Sequence, residues 1–207
     1  SVYIALNKPV GITSTTDSTD STNIVDFVNY PRRIFNIGRL DKDSEGLILL
    51  TDDGEIVNKI LRAGNKHEKE YIITVDRAFD DEFLKQMSSG VSILGQMTRR
   101  CKTSRETHNI FRITLTQGLN RQIRRMCEAL GYEVTSLKRV RIMHITLDKL
   151  PLGQWRELTN EEVSKMLAAL EGSTNNSKKS TPPKRIVEKK GNFKQKSGNL
   201  HNKPKRR

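Results

Sequence analysis

Gly38-Arg39-Leu40-Asp41-Lys42-Asp43-Ser44-Glu45-Gly46-Leu47-Ile48-Leu49-Leu50 reads as a charged loop running into a buried strand. Two glycines bracket the charges, and the apolar run Leu47 to Leu50 stops at the turn formers Thr51-Asp52-Asp53-Gly54. Outward from this stretch, strand and helix signals alternate. Val2 to Leu6, Tyr71 to Val75, Gln96 to Thr103 and Ile110 to Thr116 read as strands, and Leu137 to Leu147 as one long strand. Apolar spacing predicts helices over Asn23–Tyr30, Glu55–Ala63, Asp80–Ser88 and Asn120–Leu130, with Gly64 and Gly131 as stops. A last helix starts at the capping box Thr159-Asn160-Glu161-Glu162 and continues through Leu170. Strands outnumber helices and lie near one another in the chain. The expectation is an α+β fold around a largely antiparallel mixed sheet flanked by helices.

The 207 residues suit one domain, or two small subdomains sharing a sheet. The net charge of +13 is unevenly placed. From Gly172 to Arg207 there are 12 Lys or Arg against one acid, Glu188, whereas the rest carries 25 basic and 23 acidic residues. A nearly balanced body (1–171) is therefore expected to bear a basic tail (172–207). That tail is too poor in large apolar groups to offset its ordering entropy, so it is expected to be disordered. It either binds polyanions or simply aids solubility. Neither a signal peptide nor a long apolar run is present, which argues against secretion and membrane spanning. Cys101 and Cys127 show neither metal-ligand spacing nor a disulfide framework, as in a cytoplasmic protein. The four histidines form no ligand cluster. Because Ser1 leads straight into a strand, an N-terminal piece is expected to be missing.

Three stretches can carry chemistry. Leu6-Asn7-Lys8-Pro9-Val10-Gly11-Ile12 leaves a strand through a turn into the polar run Thr13 to Asn23, which reads as a long exposed loop. In the second, Gly38 to Leu47, Asp41 taken alone is a turn or cap group. The third is Gln117-Gly118-Leu119-Asn120-Arg121-Gln122-Ile123-Arg124-Arg125-Met126. Three arginines at a helix start oppose the helix dipole and call for an anion, either phosphate or a carboxylate. With Lys138, Arg139 and Arg141 they form the basic patch of the body.

Leu6-Asn7-Lys8-Pro9 with Gly11, Gly38-Arg39-Leu40-Asp41 with Ser44, Gly46 and Leu47, Lys69-Glu70-Tyr71, and Asn120 to Met126 together resemble a family of RNA pseudouridine synthases. It is the family that includes the small-subunit rRNA enzyme A and the large-subunit enzymes B, E and F. The resemblance covers about residues 1–170, and Asn58 to Asn65 and Pro151 to Arg156 bring it nearest to the F branch. It implies a catalytic core with two subdomains around a central cleft, lacking here the small S4-type RNA-binding domain that usually precedes it. It implies no metal and no cofactor. Asp41 is then the nucleophile, Arg124 its ion-pair partner, and Tyr71 the ring that packs on the target base. Arg39 holds the RNA open, while Arg121, Arg125, Lys138, Arg139 and Lys8 contact RNA. The implied partner is large-subunit (23S) rRNA, at a uridine near the peptidyl transferase region, with a tRNA uridine as a second target and the protein acting as a monomer. The alternatives are a small-subunit rRNA or tRNA enzyme, or a non-catalytic assembly factor on the same fold. The last has no need of a carboxylate in a basic site.

Overall fold

The computed structural model describes residues 1–63 and 66–178, with residues 173–178 described by backbone alone. In chain order it runs β1 (Tyr3–Lys8), α1 (Ile24–Val28), β2 (Phe35–Ile37), β3 (Glu45–Thr51), α2 (Gly54–Ala63), β4 (Lys69–Val75), α3 (Asp81–Ser89), β5 (Ser92–Ile93), β6 (Gln96–Met97), β7 (Lys102–Arg105), β8 (Ile110–Leu115), α4 (Gln122–Ala129), β9 (Val134–Ile142), β10 (Ile145–Thr146), β11 (Trp155–Glu157) and α5 (Asn160–Lys178).

Nine strands form one sheet in the order β11-β1-β3-β9-β4-β8-β7, with β2 and β10 pairing β3 and β9 off this path. All its pairings are antiparallel except β3 with β9, which is parallel and matches only Glu45 to Lys138 and Gly46 to Arg139. The expected α+β fold is present, and its two halves meet at this narrow joint. Gly46 is what lets them meet. Its φ is +113°, and a Cβ there would lie 2.2 Å from the Arg139 carbonyl oxygen. A glycine tolerates both the backbone angle and the close approach.

Strand alternation sorts the apolar residues into two layers. Ile4, Leu6, Ile48, Leu50, Ile73 and Phe111 face a core closed by α1, α3 and α4. Ala5, Leu47 and Leu49 face the other way, under Ala63 of α2 and Met166 and Leu170 of α5. That second layer covers β1 and β3 and reaches across the joint to Ile142 of β9 and Ile145 of β10. Across β4 and β8 the same face holds Glu70, Arg112 and Thr114, tied by Arg112–Glu70 at 2.8 Å. The sheet is thus covered on both faces from β1 to the end of β9 and on one face across β4 and β8.

Three expectations change, while Thr13 to Asn23 is a largely exposed loop as expected. Leu137 to Leu147 is a hairpin, because Met143 takes a left-handed turn (φ 55°) that folds β10 back on β9. The strand expected over Gln96 to Thr103 is broken. Leu94 and Gly95 (φ 49° and 74°) close the β5–β6 hairpin, a pairing geometry that suits strand twist, and β7 starts only at Lys102. The run Thr13 to Asn23 is ordered by Asp17 and Asp20, which accept from the Thr19 and Thr22 amides at 2.9 and 2.8 Å. Asn23 then caps α1 by accepting from the Asp26 amide at 2.9 Å. Finally, α5 continues to Lys178, past the expected start of the tail, since an anchored helix extends one residue at a time without a new nucleus. The remainder of the tail, 179–207, lies outside the described residues.

The capping box is formed: the Glu162 amide donates to Thr159 Oγ1 at 3.1 Å, and Glu162 accepts from the Thr159 amide at 2.9 Å. Arg156 adds a fork to Glu162 at 2.7 and 2.9 Å, and its hydrogen bonds hold that carboxyl down to about 2 from an ordinary 4.5. A depressed carboxyl contributes its stability above the unfolded pKa and loses it as pH falls toward the folded one. Glu162→Gln should therefore cost about 1–2 kcal/mol at pH 7, shrinking between about pH 4.5 and 2, as checked by urea denaturation across that range. Gly46→Ala should cost about 3–5 kcal/mol through overpacking and backbone strain at the joint, visible as a large drop in Tm.

Candidate active site

The β3–β9 joint fixes which side chains meet. The loop carrying Asp41 enters β3 at Glu45, while Tyr71 on β4 stands opposite Arg139, which in turn stands beside Gly46. Three adjacent strands thus bring the loop end and the tyrosine to one place. Between them lies a cavity of about 400 Å³ lined by Asp41, Tyr71, Arg39, Arg121, Arg124 and Lys69, with Leu115, Leu119, Leu137 and Ile142 among its apolar walls. Its size suits one small ligand, and its lining sets charged side chains against apolar walls.

The Asp41 loop is clamped mainly through its backbone. Ser14 Oγ donates to the Leu40 carbonyl at 2.8 Å and accepts from the Leu40 amide at 3.2 Å. The Gly11 amide donates to the Lys42 carbonyl at 2.8 Å, and the Ser44 amide closes a turn onto the Asp41 carbonyl at 2.9 Å. From the far half, Arg139 donates to the carbonyls of Leu47 and Arg39 at 2.8 and 3.4 Å. Arg124 Nη2 donates to the Asp43 carbonyl and to Ser44 Oγ, both at 3.0 Å. The loop is rigid by virtue of these contacts, and the Asp41 carboxylate stands out from it.

The charges pair differently from expectation. No Arg124–Asp41 ion pair exists among the described residues. Arg124, with its side chain 10% exposed, lies 3.5 Å from Asp43 Oδ2, and its buried Nε has no partner. Arg121 forks onto Asp43 at 3.0 and 2.9 Å and touches Asp41 only at 3.4 Å. The reason is the Asp41–Ser44 turn, which aims Asp43 at the start of α4. Of the two anions the helix start called for, carboxylate fills the place. The hydrogen bond from Arg121, with Arg124 nearby, holds the Asp43 carboxyl below the ordinary carboxylate range. Asp41 itself is 40% exposed on its side chain and faces the cavity rim.

Three residues expected at RNA make their hydrogen bonds within the protein. Lys8 is fully buried (0%) and donates to the carbonyls of Pro9 and Ile12 at 2.9 and 2.8 Å. Burial pushes its pKa down to about 8, against the opposing pull of Asp43 and Asp41. Arg139, 5% exposed, is spent on the loop carbonyls. Arg125 folds back on the carbonyl and side chain of Asn120 at 3.0 and 3.1 Å. Lys138 is half-buried beside Glu45 and outside the cavity lining, whereas Arg39 is exposed at its rim. Tyr71 keeps its ring in the core, and its hydroxyl has no hydrogen-bond partner among the described residues.

Two contributors had no role assigned from the sequence. Lys69 lies two residues before Tyr71 on β4 and also lines the cavity, which strand periodicity alone places on the same face. Burial, then the Arg139 charge, lowers its pKa. Ser14 carried no local signal, because its partner Leu40 is distant in the chain. Among the described residues no three His, Cys, Asp or Glu converge as a metal site requires.

Arg124→Ala should cost about 2–3 kcal/mol, because it strips charge-assisted donors from Asp43 and Ser44, and Arg124→Lys should recover little of this for want of the fork. Chemical denaturation of both variants checks it: near-complete recovery by Lys would mean that charge alone matters.

Comparison with known proteins agrees with this architecture. The RNA pseudouridylate synthase family matches residues 2–129. The dual-specificity RNA pseudouridine synthase RluF of Salmonella typhi is 60% identical over 177 residues, which make up 86% of this chain and 61% of that protein. Ribosomal large subunit pseudouridine synthase B of Bacillus subtilis is 36% identical over 182 residues, 84% of this chain and 75% of that one. A solved pseudouridylate synthase structure shares the fold with a TM-score of 0.73 at 32% identity, over 80% of this chain and 73% of that chain. The chain thus spans about three-fifths of the length of its RluF relatives. On these matches the chain belongs to the RNA pseudouridylate synthase family, within its RluF-type branch.

Proposed function

We propose that this protein converts uridine to pseudouridine in RNA, with Asp41 as the catalytic carboxylate. The observation that carries the reading is a carboxylate with, among the described residues, a single long ion contact at the rim of an arginine-lined cavity, with a tyrosine in the cavity wall. A site that only bound RNA phosphates would gain nothing from that carboxylate.

The reaction is an isomerisation. The bond from ribose C1′ to base N1 breaks, the base turns, C1′ bonds to C5, the C5 proton leaves and N1 takes one up. Asp41 attacks either the ribose carbon or the base and releases it again. The apolar walls and the Tyr71 ring enclose the base while it turns. The Tyr71 hydroxyl, with no hydrogen-bond partner among the described residues, relays the C5 proton, accepting it at oxygen while passing its own proton to solvent. A uridine inside a duplex cannot reach this cavity, so the substrate nucleotide is flipped out of its stack. Arg39 and Arg121 at the rim then meet the flanking phosphates, which positions the strand without reading its sequence. Arg124 acts through the loop backbone as a positioning residue.

The substrate is large-subunit rRNA, at a uridine near the peptidyl transferase region, and the second is a tRNA uridine. The names of the relatives, one a large-subunit enzyme and the other of dual specificity, support a large-subunit target and a second RNA, while the particular uridines rest on the motif resemblance alone. No described helix is long and apolar enough to cross a membrane. We place the protein in the cytoplasm with these RNAs, acting as a monomer.

The test is to incubate the protein with transcribed 23S rRNA and tRNA and to map pseudouridine by carbodiimide labelling and reverse-transcription stops. Wild type should mark single positions. Asp41→Asn should mark none while binding the same RNAs with nearly unchanged Kd. An active Asp41→Asn protein would remove Asp41 from the chemistry.

A further inference from the structure

Asp43, two positions beyond Asp41, has no part in the reaction as proposed, yet it is the centre of charge balance in the site. Arg121 grips it with Nη1 to Oδ1 at 3.0 Å and Nη2 to Oδ2 at 2.9 Å. Arg124 Nη1 approaches Oδ2 to 3.5 Å. Asp41 receives only the edge of the same Arg121, Nη1 to Oδ2 at 3.4 Å. Two guanidinium groups and two carboxylates thus share one loop, and the fork of Arg121 is spent on the carboxylate that does no chemistry. The Arg121–Asp43 hydrogen bond also keeps the Asp43 carboxyl below the ordinary range, so this arrangement persists through neutral pH.

A guanidinium deprived of its bidentate partner turns to the next carboxylate within reach, because fork-to-carboxylate pairing is the strongest hydrogen bonding open to it. Asp41 is that carboxylate. The Arg121 side chain is 38% exposed and starts from the turn before α4, so it has room to swing. Once forked by Arg121, Asp41 would have one lone pair on each oxygen held by a fixed donor and its charge shared with the guanidinium, so a substrate atom would meet a weaker and more crowded carboxylate. We infer that Asp43 is a positioning residue that holds Arg121 off Asp41 and thereby keeps one Asp41 oxygen free for the nucleotide. This rests on the pseudouridine synthase reading. Bracing of the loop is a separate matter, since Ser14, Gly11, Arg139 and Arg124 Nη2 do that through loop backbone and Ser44 atoms, without the Asp43 carboxylate.

The two roles separate in a double-variant comparison. Tritium release from RNA labelled at uridine C5 would be followed for wild type, Asp43→Asn, Arg121→Gln and Asp43→Asn/Arg121→Gln, at saturating RNA. Asp43→Asn should lower kcat about 10- to 100-fold with little change in KM, the pattern expected when bound substrate meets a blocked group. Removing Arg121 as well should restore kcat about 10-fold relative to Asp43→Asn, with a raised KM from the lost phosphate contact. Both compared proteins lack Asp43, so a loop damaged by its loss would stay damaged in the pair. A double variant no faster than Asp43→Asn, or an Asp43→Asn protein with wild-type kcat, overturns the inference. A crystal structure of Asp43→Asn gives a readout independent of turnover. Arg121 forked onto Asp41 supports the inference, and Arg121 turned to solvent overturns it. If wild type releases no tritium while Arg121 does move onto Asp41, the reaction reading fails and the control of Arg121 by Asp43 stands.

Discussion

Everything at this site depends on two strands touching over two residues. β3 and β9 run parallel and pair only at Glu45 with Lys138 and at Gly46 with Arg139. A parallel pair requires a long crossover, and here the crossover is almost the whole second half of the sheet. The contact is close because Gly46 has no side chain to hold the Arg139 backbone away. Arg139 then reaches back to the carbonyls of Leu47 and Arg39, so the charged loop is fastened at its strand end by the opposite half. The cavity exists because two sheet halves joined so narrowly leave a gap beside the joint, and the loop before β3 lies over it.

The electrostatics follow from that geometry. Three arginines near the start of α4 would be costly alone, since the helix end is already positive. The turn from Asp41 to Ser44 supplies the compensating carboxylate of Asp43, and Arg125 is drawn off by Asn120. What remains at the cavity is a balanced cluster from which Asp41 projects, in contact with water and with one guanidinium edge. The body has 25 basic and 23 acidic residues, so its positive charge is a local feature of this rim, while 12 of the chain's 37 basic residues lie in 172–207.

Lys8 and Arg139 show how a cation's surroundings decide its task. Both are basic residues in motif positions, and both are buried with their donors on backbone carbonyls. A buried cation that has satisfied its hydrogen bonds within the protein has no reason to leave for a phosphate. Exposed Arg39 and Arg121 keep that option.

Much was legible in the sequence because it rests on local chemistry. Apolar periodicity, the capping box at Thr159 and the glycine-bracketed loop before Leu47 each depend on neighbours a few residues apart, so the α+β class and the order of elements could be read directly. The motif set pointed to Asp41, Tyr71 and Arg124, and all three line one cavity. The turns at Leu94 and Met143 are not legible because a positive φ leaves no clear mark when the residue is not glycine or asparagine, and Gly95 marks only one of the two positions of its hairpin turn. Which arginine faces which carboxylate was beyond the sequence, since the partners are 78 to 81 residues apart. So was the difference between a cation that binds RNA and one that holds a loop. Residue type sets what a group can bond to, but only the packed sheet sets what lies within hydrogen-bond reach and what water can still touch.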